Sequence, residues 1–119
     1  MSEELRIENK GNVIFMRFPD EQRSKAWLLY EVRNGRMRLL ETYTPPQYRG
    51  RGIARRLVEK AIEIAREKGL EIEPVCSYTI YYFWKHPEAR SVLAEEFRML
   101  DDEEWERLFR DARSREKRS

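Results

Sequence analysis

The chain has one cysteine, Cys76, and one histidine, His86, in 119 residues. A single cysteine cannot form an internal disulfide, and the two residues together cannot supply the Cys/His ligand set of a structural zinc site. A Ser-His-Asp triad would use up the one histidine, and a multi-histidine metal site cannot be built at all. We therefore expect no metal cofactor.

Long apolar runs are also missing. No stretch approaches the ~20 apolar residues that a membrane-spanning helix needs. Residues 1–4 are acidic and lack a hydrophobic segment, so we expect no secretory signal, no membrane partner and a cytoplasmic location. Hydrophobic residues make up 40% of the chain and charged residues 39%, and the apolar residues recur periodically. The sequence thus predicts a folded chain, with enough length for one core but not for two.

The first half of the sequence predicts antiparallel strands over residues 13–18, 26–33 and 36–43. Asn34-Gly35 between the last two favours a two-residue type I′ hairpin, because both positions need positive φ angles. That loop sets a register in which Tyr30 faces Leu39 and Leu28 faces Glu41. The register places the Glu41 carboxylate on the inner face of the sheet, or where the sheet opens to solvent at the strand end.

The second half predicts one strand and four helices. Apolar residues recur at helical spacing from residue 53 to residue 65, and Gly69 suits a helix end. Residues 70–76 alternate like a strand that Pro74 interrupts. Helices are then expected at 78–85, at 88–97 and from 103 to about 113, the last capped by Asp101 or Asp102. A hairpin followed by a β-α-β crossover indicates an α/β fold with a mixed sheet.

The loop before the long helix carries the clearest chemical signal. Residues 46–57 join a strand to a helix, whose N-terminus presents unpaired N–H groups and partial positive charge. Gly50 and Gly52 leave room for an anion to approach the backbone, and the surrounding arginines favour a diphosphate. Neither a Walker loop nor a dinucleotide-binding fingerprint is completed here. The alternative is a plain helix start with solvated arginines.

The loop sequence Arg49-Gly50-Arg51-Gly52-Ile53-Ala54 resembles the Arg/Gln-x-x-Gly-x-Gly/Ala signature of the GNAT superfamily of N-acetyltransferases. Further elements are similar to a compact single-domain branch of that superfamily: Thr42-x-x-Pro-Pro, Lys68-Gly69, Pro74-Val75-Cys76-Ser77-Tyr78 and Lys85-His86-Pro87-Glu88. The resemblance covers about residues 13–97. It implies a single GNAT-like domain over residues 1–119, with a helical extension at about residues 101–115.

The resemblance also implies acetyl-CoA as cosubstrate, held where two parallel strands splay apart. The prolines at 45, 46 and 74 agree with strands that cannot pair fully at that end. The pantetheine arm would lie along the backbone of Thr42, Tyr43 and Thr44. The pyrophosphate would be held by the loop residues Arg49, Gly50, Arg51, Gly52, Ile53 and Ala54.

Four residues are candidates for catalysis. We expect Glu41 to be the base, directly or through water, although the compact branch more usually carries histidine at that place. Cys76 could form an acyl-thioester, contact the cofactor sulfur or be an inert small residue. Tyr78 or Tyr82, one helical turn apart, could protonate the departing thiolate, or both could pack in the core.

These features predict an N-acetyltransferase that moves an acetyl group from acetyl-CoA to an amine of a small molecule or a protein, as a monomer or a homodimer. One alternative is a CoA-binding or acyl-CoA-sensing module without catalysis. A more distant one is a basic nucleic-acid-binding domain. We expect no nucleic-acid partner, because Tyr48 is the one aromatic among the loop arginines and the acidic stretch at 95–106 would repel phosphates.

Overall fold

A computed structural model describes residues 6–118, so residues 1–5, where no secretory signal is expected, lie outside the described part. The described residues form one five-stranded sheet in the order β1-β2-β3-β4-β5. Its strands are β1 (Ile7–Lys10), β2 (Val13–Arg17), β3 (Lys25–Arg33), β4 (Arg36–Tyr43) and β5 (Glu71–Pro74). The first four are antiparallel, and β4 and β5 are parallel. The predicted mixed sheet is confirmed.

Three of the four predicted helices are present. The helices of the structure are α1 (Ile53–Lys68), α2 (Ser77–Lys85), α3 (Glu95–Arg98) and α4 (Asp102–Arg118), with 3-10 turns at Pro46–Tyr48 and Pro87–Val92. One face of α1 is buried at Ile53, Leu57, Val58, Ala61, Ile62, Ile64 and Ala65. This face packs against the inner side of the sheet, while α2 packs against β4, β5 and α4. Among residues 6–118, no helix combines the length and apolar character needed to cross a bilayer.

The β3–β4 hairpin has the predicted turn. Asn34 and Gly35 have φ angles of 52° and 77°, as a type I′ turn requires. Near the turn the predicted register is confirmed: Tyr30 lies opposite Leu39, and Glu31 forms an ion pair with Arg38. The side-chain pattern of the strands therefore fixes which faces meet close to the turn.

Two segments differ from the sequence prediction. Strand β1 was not predicted, and it pairs with β2 through a turn at Gly11, where φ is 64°. The single helix predicted at 88–97 is wrong, because the chain becomes extended between the 3-10 turn and α3. There Leu93 pairs with Ile72, and the Ala94 N–H donates to the Ile72 carbonyl at 2.9 Å. The hydrogen bonds gained at the sheet edge replace those of a continuous helix.

The start of α4 is fixed by a reciprocal pair of hydrogen bonds. The Glu104 N–H donates to Asp101 Oδ1 at 2.8 Å, and the Asp101 N–H donates to Glu104 Oε1 at 3.0 Å. This is a capping box with Asp101 as its cap, one of the two predicted caps.

Replacing the cap should weaken α4 and its packing on α2. We expect Asp101→Ala to lower the free energy of unfolding by about 1 kcal/mol, because the Glu104 N–H at the helix start loses its side-chain acceptor. Urea unfolding measures this change. Glu103→Ala, an exposed first-turn change, is the matched control, and an equal loss in both variants would contradict the capping role.

Candidate functional site

A β-bulge near the end of β4 sets the position of Glu41. Leu39 lies opposite Tyr30, whereas Glu41 lies opposite Leu29, so Leu40 is an extra residue without a partner on β3. The predicted pairing of Leu28 with Glu41 is therefore wrong. A shift of one residue moves every following side chain to the other face, so the carboxylate is exposed on the outer face of the sheet.

On that outer face Glu41 meets Trp27. The indole Nε1 donates a hydrogen bond to Glu41 Oε2 at 3.0 Å. The same indole stacks on Tyr43, with ring centroids 4.5 Å apart. Trp27 therefore orients the carboxylate. The sequence reasoning did not single Trp27 out, because its contact with Glu41 exists only when the bulge is present.

Strands β4 and β5 separate at the bulge. Their parallel pairing ends at Leu39 and Pro74, and the N–H groups of Val75 and Cys76 both donate to the Leu39 carbonyl, at 3.0 and 3.1 Å. Beyond this point a cleft of about 420 Å³ opens. It is lined by Trp27, Leu40, Glu41, Thr42, Tyr43, Cys76, Ser77, Tyr78 and Glu116.

Cys76 lies in the wall of this cleft with little exposed surface. Its sulfur is 3.4 Å from Thr79 Oγ1 and 3.9 Å from Thr42 Oγ1. The Thr79 hydroxyl itself donates to the Cys76 carbonyl at 2.9 Å. Both polar contacts of the thiol are hydroxyl groups, which do not act as bases at neutral pH. The arrangement therefore favours a wall contact over a nucleophile.

The two candidate tyrosines occupy different surroundings. Tyr78 is half-buried and lines both the cleft and a second depression beside the helix start. Burial raises the pKa of its hydroxyl, and nearby Tyr82 adds to the rise, so the phenol stays protonated at neutral pH. Tyr82 is buried, stacks on His86 at 4.1 Å, and lines neither depression. Burial is also the main cause of its raised pKa.

The second depression, of about 270 Å³, contains most of the predicted phosphate loop. Its lining residues are Thr44, Tyr48, Arg49, Gly50, Gly52, Ile53, Ala54, Arg55 and Tyr78. Gly50 and Gly52 have φ angles of 80° and 74°, which L side chains rarely adopt, and a Cβ at either would face open space. Arg51 lies outside this lining, with its guanidinium carbon 5.6 Å from the centre of the Tyr48 ring.

The start of α1 leaves main-chain donors available. The first N–H to bond within the helix is that of Arg56, to the Gly52 carbonyl at 3.1 Å, and no side chain caps the helix. The N–H groups of Ile53, Ala54 and Arg55 precede this first bond and have no partner inside the helix. Open space, glycine backbone and orphan donors suit the diphosphate of CoA, so the residues present fit the group that the resemblance implies.

The loop is held in place by a turn at the end of β2. The Tyr48 hydroxyl donates to Asp20 Oδ2 at 2.8 Å, and the Tyr48 ring stacks on Phe18 at 3.8 Å. Asp20 also accepts from the Ser24 N–H at 2.9 Å. That bond, assisted by the Tyr48 hydroxyl, lowers the pKa of Asp20 below its ordinary value. With Phe18 on one ring face and Arg51 over the ring, Tyr48 offers little surface on which a nucleic-acid base could stack.

The end of α4 closes one side of the cleft. Glu116 accepts hydrogen bonds from the Ser77 N–H at 2.8 Å and from the Ser77 hydroxyl at 2.7 Å. Arg115 donates to the Val75 carbonyl at 3.3 Å. A carboxylate thus satisfies an N–H at the start of α2, next to Cys76. No sequence signal predicted this contact, because its partners are 39 positions apart in the chain and share no motif.

The structure therefore brings together most of the predicted site. Glu41, Thr42, Tyr43, Cys76 and Tyr78 line the cleft, and the loop residues except Arg51 line the adjoining depression with Thr44. Arg49 donates from Nε to the Thr44 carbonyl at 3.0 Å and so ties the loop to the end of β4. Within residues 6–118, no three Cys, His, Asp or Glu side chains are grouped as a metal site.

Comparisons with known proteins identify the family. Residues 14–92 match the sequence family described as GCN5-related N-acetyl-transferase, and the chain belongs to that family. Helix α4, which carries Glu116, lies beyond the matched residues. No curated protein sequence matches the chain significantly.

A solved structure supports the fold independently. The solution NMR structure of a GCN5-like candidate N-acetyltransferase from Staphylococcus aureus superposes with a TM-score of 0.62. The two chains are 24% identical, and the alignment covers 81% of this chain and 97% of the other. At that identity the likeness establishes the fold and no more.

The lowered pKa of Asp20 predicts a pH-dependent stability. A carboxyl whose pKa is lower in the folded chain adds stability above its unfolded pKa, and that stability is lost as pH falls through the folded value. We expect the urea midpoint of the native chain to exceed that of Asp20→Asn at neutral pH, and the two to converge in acid. When Tyr48→Phe is present in both proteins, the difference between their urea midpoints at neutral pH should be smaller. A difference between the native and Asp20→Asn midpoints that stays constant with pH would contradict this explanation.

Proposed function

We propose that the protein transfers an acetyl group from acetyl-CoA to an amine of a small molecule or a protein. The observation that carries this proposal is the meeting of two depressions at Tyr78. One is lined by the main chain and glycines at the start of α1, and the other is the cleft between β4 and β5. A long molecule with a diphosphate at one end and a reactive group at the other fits such a path.

The residues can be assigned to the parts of acetyl-CoA. The N–H groups of Ile53 and Ala54, with the open backbone at Gly50 and Gly52, would hold the diphosphate. The strand end at Thr42, Tyr43 and Thr44 would lie along the pantetheine arm. When bound, acetyl-CoA supplies the activated acyl group and the sulfur leaving group.

The chemistry of the site requires a base, a carbonyl contact and an acid. Glu41 stands at the mouth of the cleft and would take the proton of the acceptor amine, directly or through water. The bulge leaves Leu40 without a paired residue on β3, and its N–H is the main-chain group that we assign to the acyl carbonyl. Tyr78, rather than Tyr82, would donate a proton to the sulfur, because it alone of the two lines the cleft.

The diphosphate site can be tested by a pair of matched substitutions. We expect CoA or acetyl-CoA to raise the melting temperature, by linkage worth about 2.7 kcal/mol at 100 times Kd. Gly52→Asn should keep much of this shift, because asparagine tolerates a positive φ and is neutral. Gly52→Asp, of the same shape but negative, should lose it. A full shift with Gly52→Asp would place the diphosphate elsewhere.

The base can be tested once an acceptor has been found by screening amines with labelled acetyl-CoA. We expect Glu41→Gln to lower kcat/KM by about 10²- to 10⁴-fold, the usual contribution of a general base. The melting shift with CoA should be unchanged, since Glu41 lies outside the diphosphate loop. Unaltered turnover would remove Glu41 from the mechanism, and CoA binding without turnover of any amine would favour the non-catalytic module.

A further inference from the structure

A groove of about 560 Å³ runs across the outer face of β2 and β3. Its floor consists of apolar side chains that alternate with the inward-facing core residues of the same strands. These floor residues are Val13, Phe15, Trp27 and Leu29. Phe15 lies opposite Trp27, and Val13 lies opposite Leu29, so the floor has the width of two strands.

One end of the groove opens into the cleft between β4 and β5. Glu41 and Trp27 line both spaces, and the indole–carboxylate hydrogen bond at 3.0 Å lies between them. A molecule lying on the apolar floor would therefore bring one end to the proposed base. The shared residues make the groove a continuation of the reaction site.

The other end of the groove is positively charged. Arg17 and Lys25 lie opposite each other on β2 and β3, and their charged ends lie 5.2 and 5.8 Å from the centre of the Phe15 ring. Both cations thus stay over the floor. Lys10 lies opposite Val13, in the same row across the sheet as Glu41, so it lines the β1 edge of the groove apart from this pair. Arg17 also approaches Glu8 at 3.8 Å.

The strand geometry gives the spacing between the two charged ends. Glu41 on β4 lies in the same row across the sheet as Val13 on β2, two strands away. Phe15, the ring beneath the two cations, is two residues after Val13. Strand spacing and rise place these positions roughly 12 Å apart at the backbone. A free α-amino acid is far too short to reach from one end to the other. A polyamine would place a second positive charge beneath Arg17 and Lys25.

We propose that this groove binds the acetyl acceptor, and that the acceptor is an elongated amine with a flat apolar body and an anionic group at the end remote from the amine. The anion is a carboxylate or a phosphate, which Arg17 and Lys25 recognise by the same charge. The amino group then lies at Glu41, and the body packs on Phe15 and Trp27. This assignment rests on the proposed function, because Glu41 is its base.

The test uses a series of primary amines of one length on the full chain. The reference compound is para-(aminobutyl)benzoate, and the others are its carboxamide, the corresponding phenylphosphonate and a linear amino acid without the ring. Binding is followed without acetyl-CoA through the NMR signal of the Trp27 indole N–H, and acetyl transfer through release of the CoA thiol. The phosphonate arm shows which anion is preferred.

We expect the benzoate or the phosphonate to bind and react about three- to tenfold better than the carboxamide, as exposed charge pairs allow. The linear compound should be weaker than the benzoate, since it lacks the ring. In the double variant Arg17→Gln/Lys25→Gln, the ratio of benzoate binding to carboxamide binding should fall to near one. Arg33→Gln/Lys68→Gln, with the same change of net charge outside the groove, should retain it.

Three results would overturn the assignment. The first is equal binding of the benzoate and the carboxamide to the native chain. The second is a preference for the anion that persists in Arg17→Gln/Lys25→Gln. The third is a Trp27 indole signal that changes with protein concentration, because a second copy of the chain then covers the groove. The indole signal reports binding without any cosubstrate. Anion-selective binding with no acetyl transfer would therefore count against the proposed function while supporting the groove as an anionic-amine site.

Discussion

The site depends on one interruption in the sheet. At Leu39 the carbonyl accepts the N–H groups of both Val75 and Cys76, and from the next residue the two parallel strands no longer pair. The bulge at Leu40 occurs at the same level and turns Glu41 to the outer face. A regular ladder would close the cleft and place the carboxylate toward the core. The cleft and the proposed base therefore have a common structural origin.

Contacts from distant parts of the chain hold the separated ends in place. Tyr48 and Asp20 tie the predicted phosphate loop to the end of β2, and Glu116 accepts the Ser77 N–H at the start of α2. These contacts are made by polar side chains, since the open cleft cannot be stabilised by strand pairing. The C-terminal helix thus lines the candidate site through Glu116, although it lies outside the residues that match the family.

Local sequence patterns predicted most helices and strands, and tertiary contacts explain where those predictions were wrong. Asn34-Gly35 fixed the hairpin, and the spacing of glycines and arginines marked the loop before α1, because these signals act over a few residues. The bulge at Leu40 has no comparable signature, so the register beyond it was mistaken. The break at Leu93 follows from pairing with Ile72, a distant partner. The contacts of Trp27 and Glu116 with the site were missed for the same reason, since each joins residues from separate elements.

The central claim is that the gap between β4 and β5, together with the start of α1, holds CoA. The most direct measurement is an amide NMR titration of the native chain with CoA. We predict that the largest shifts occur in three regions: residues 42–44 at the end of β4, residues 50–54 in the loop before α1, and residues 76–78 at the start of α2. Tyr78 belongs to the third region and lines both the cleft and the depression beside the helix start. Saturable shifts confined to other surfaces, with these amides unmoved, would contradict the account.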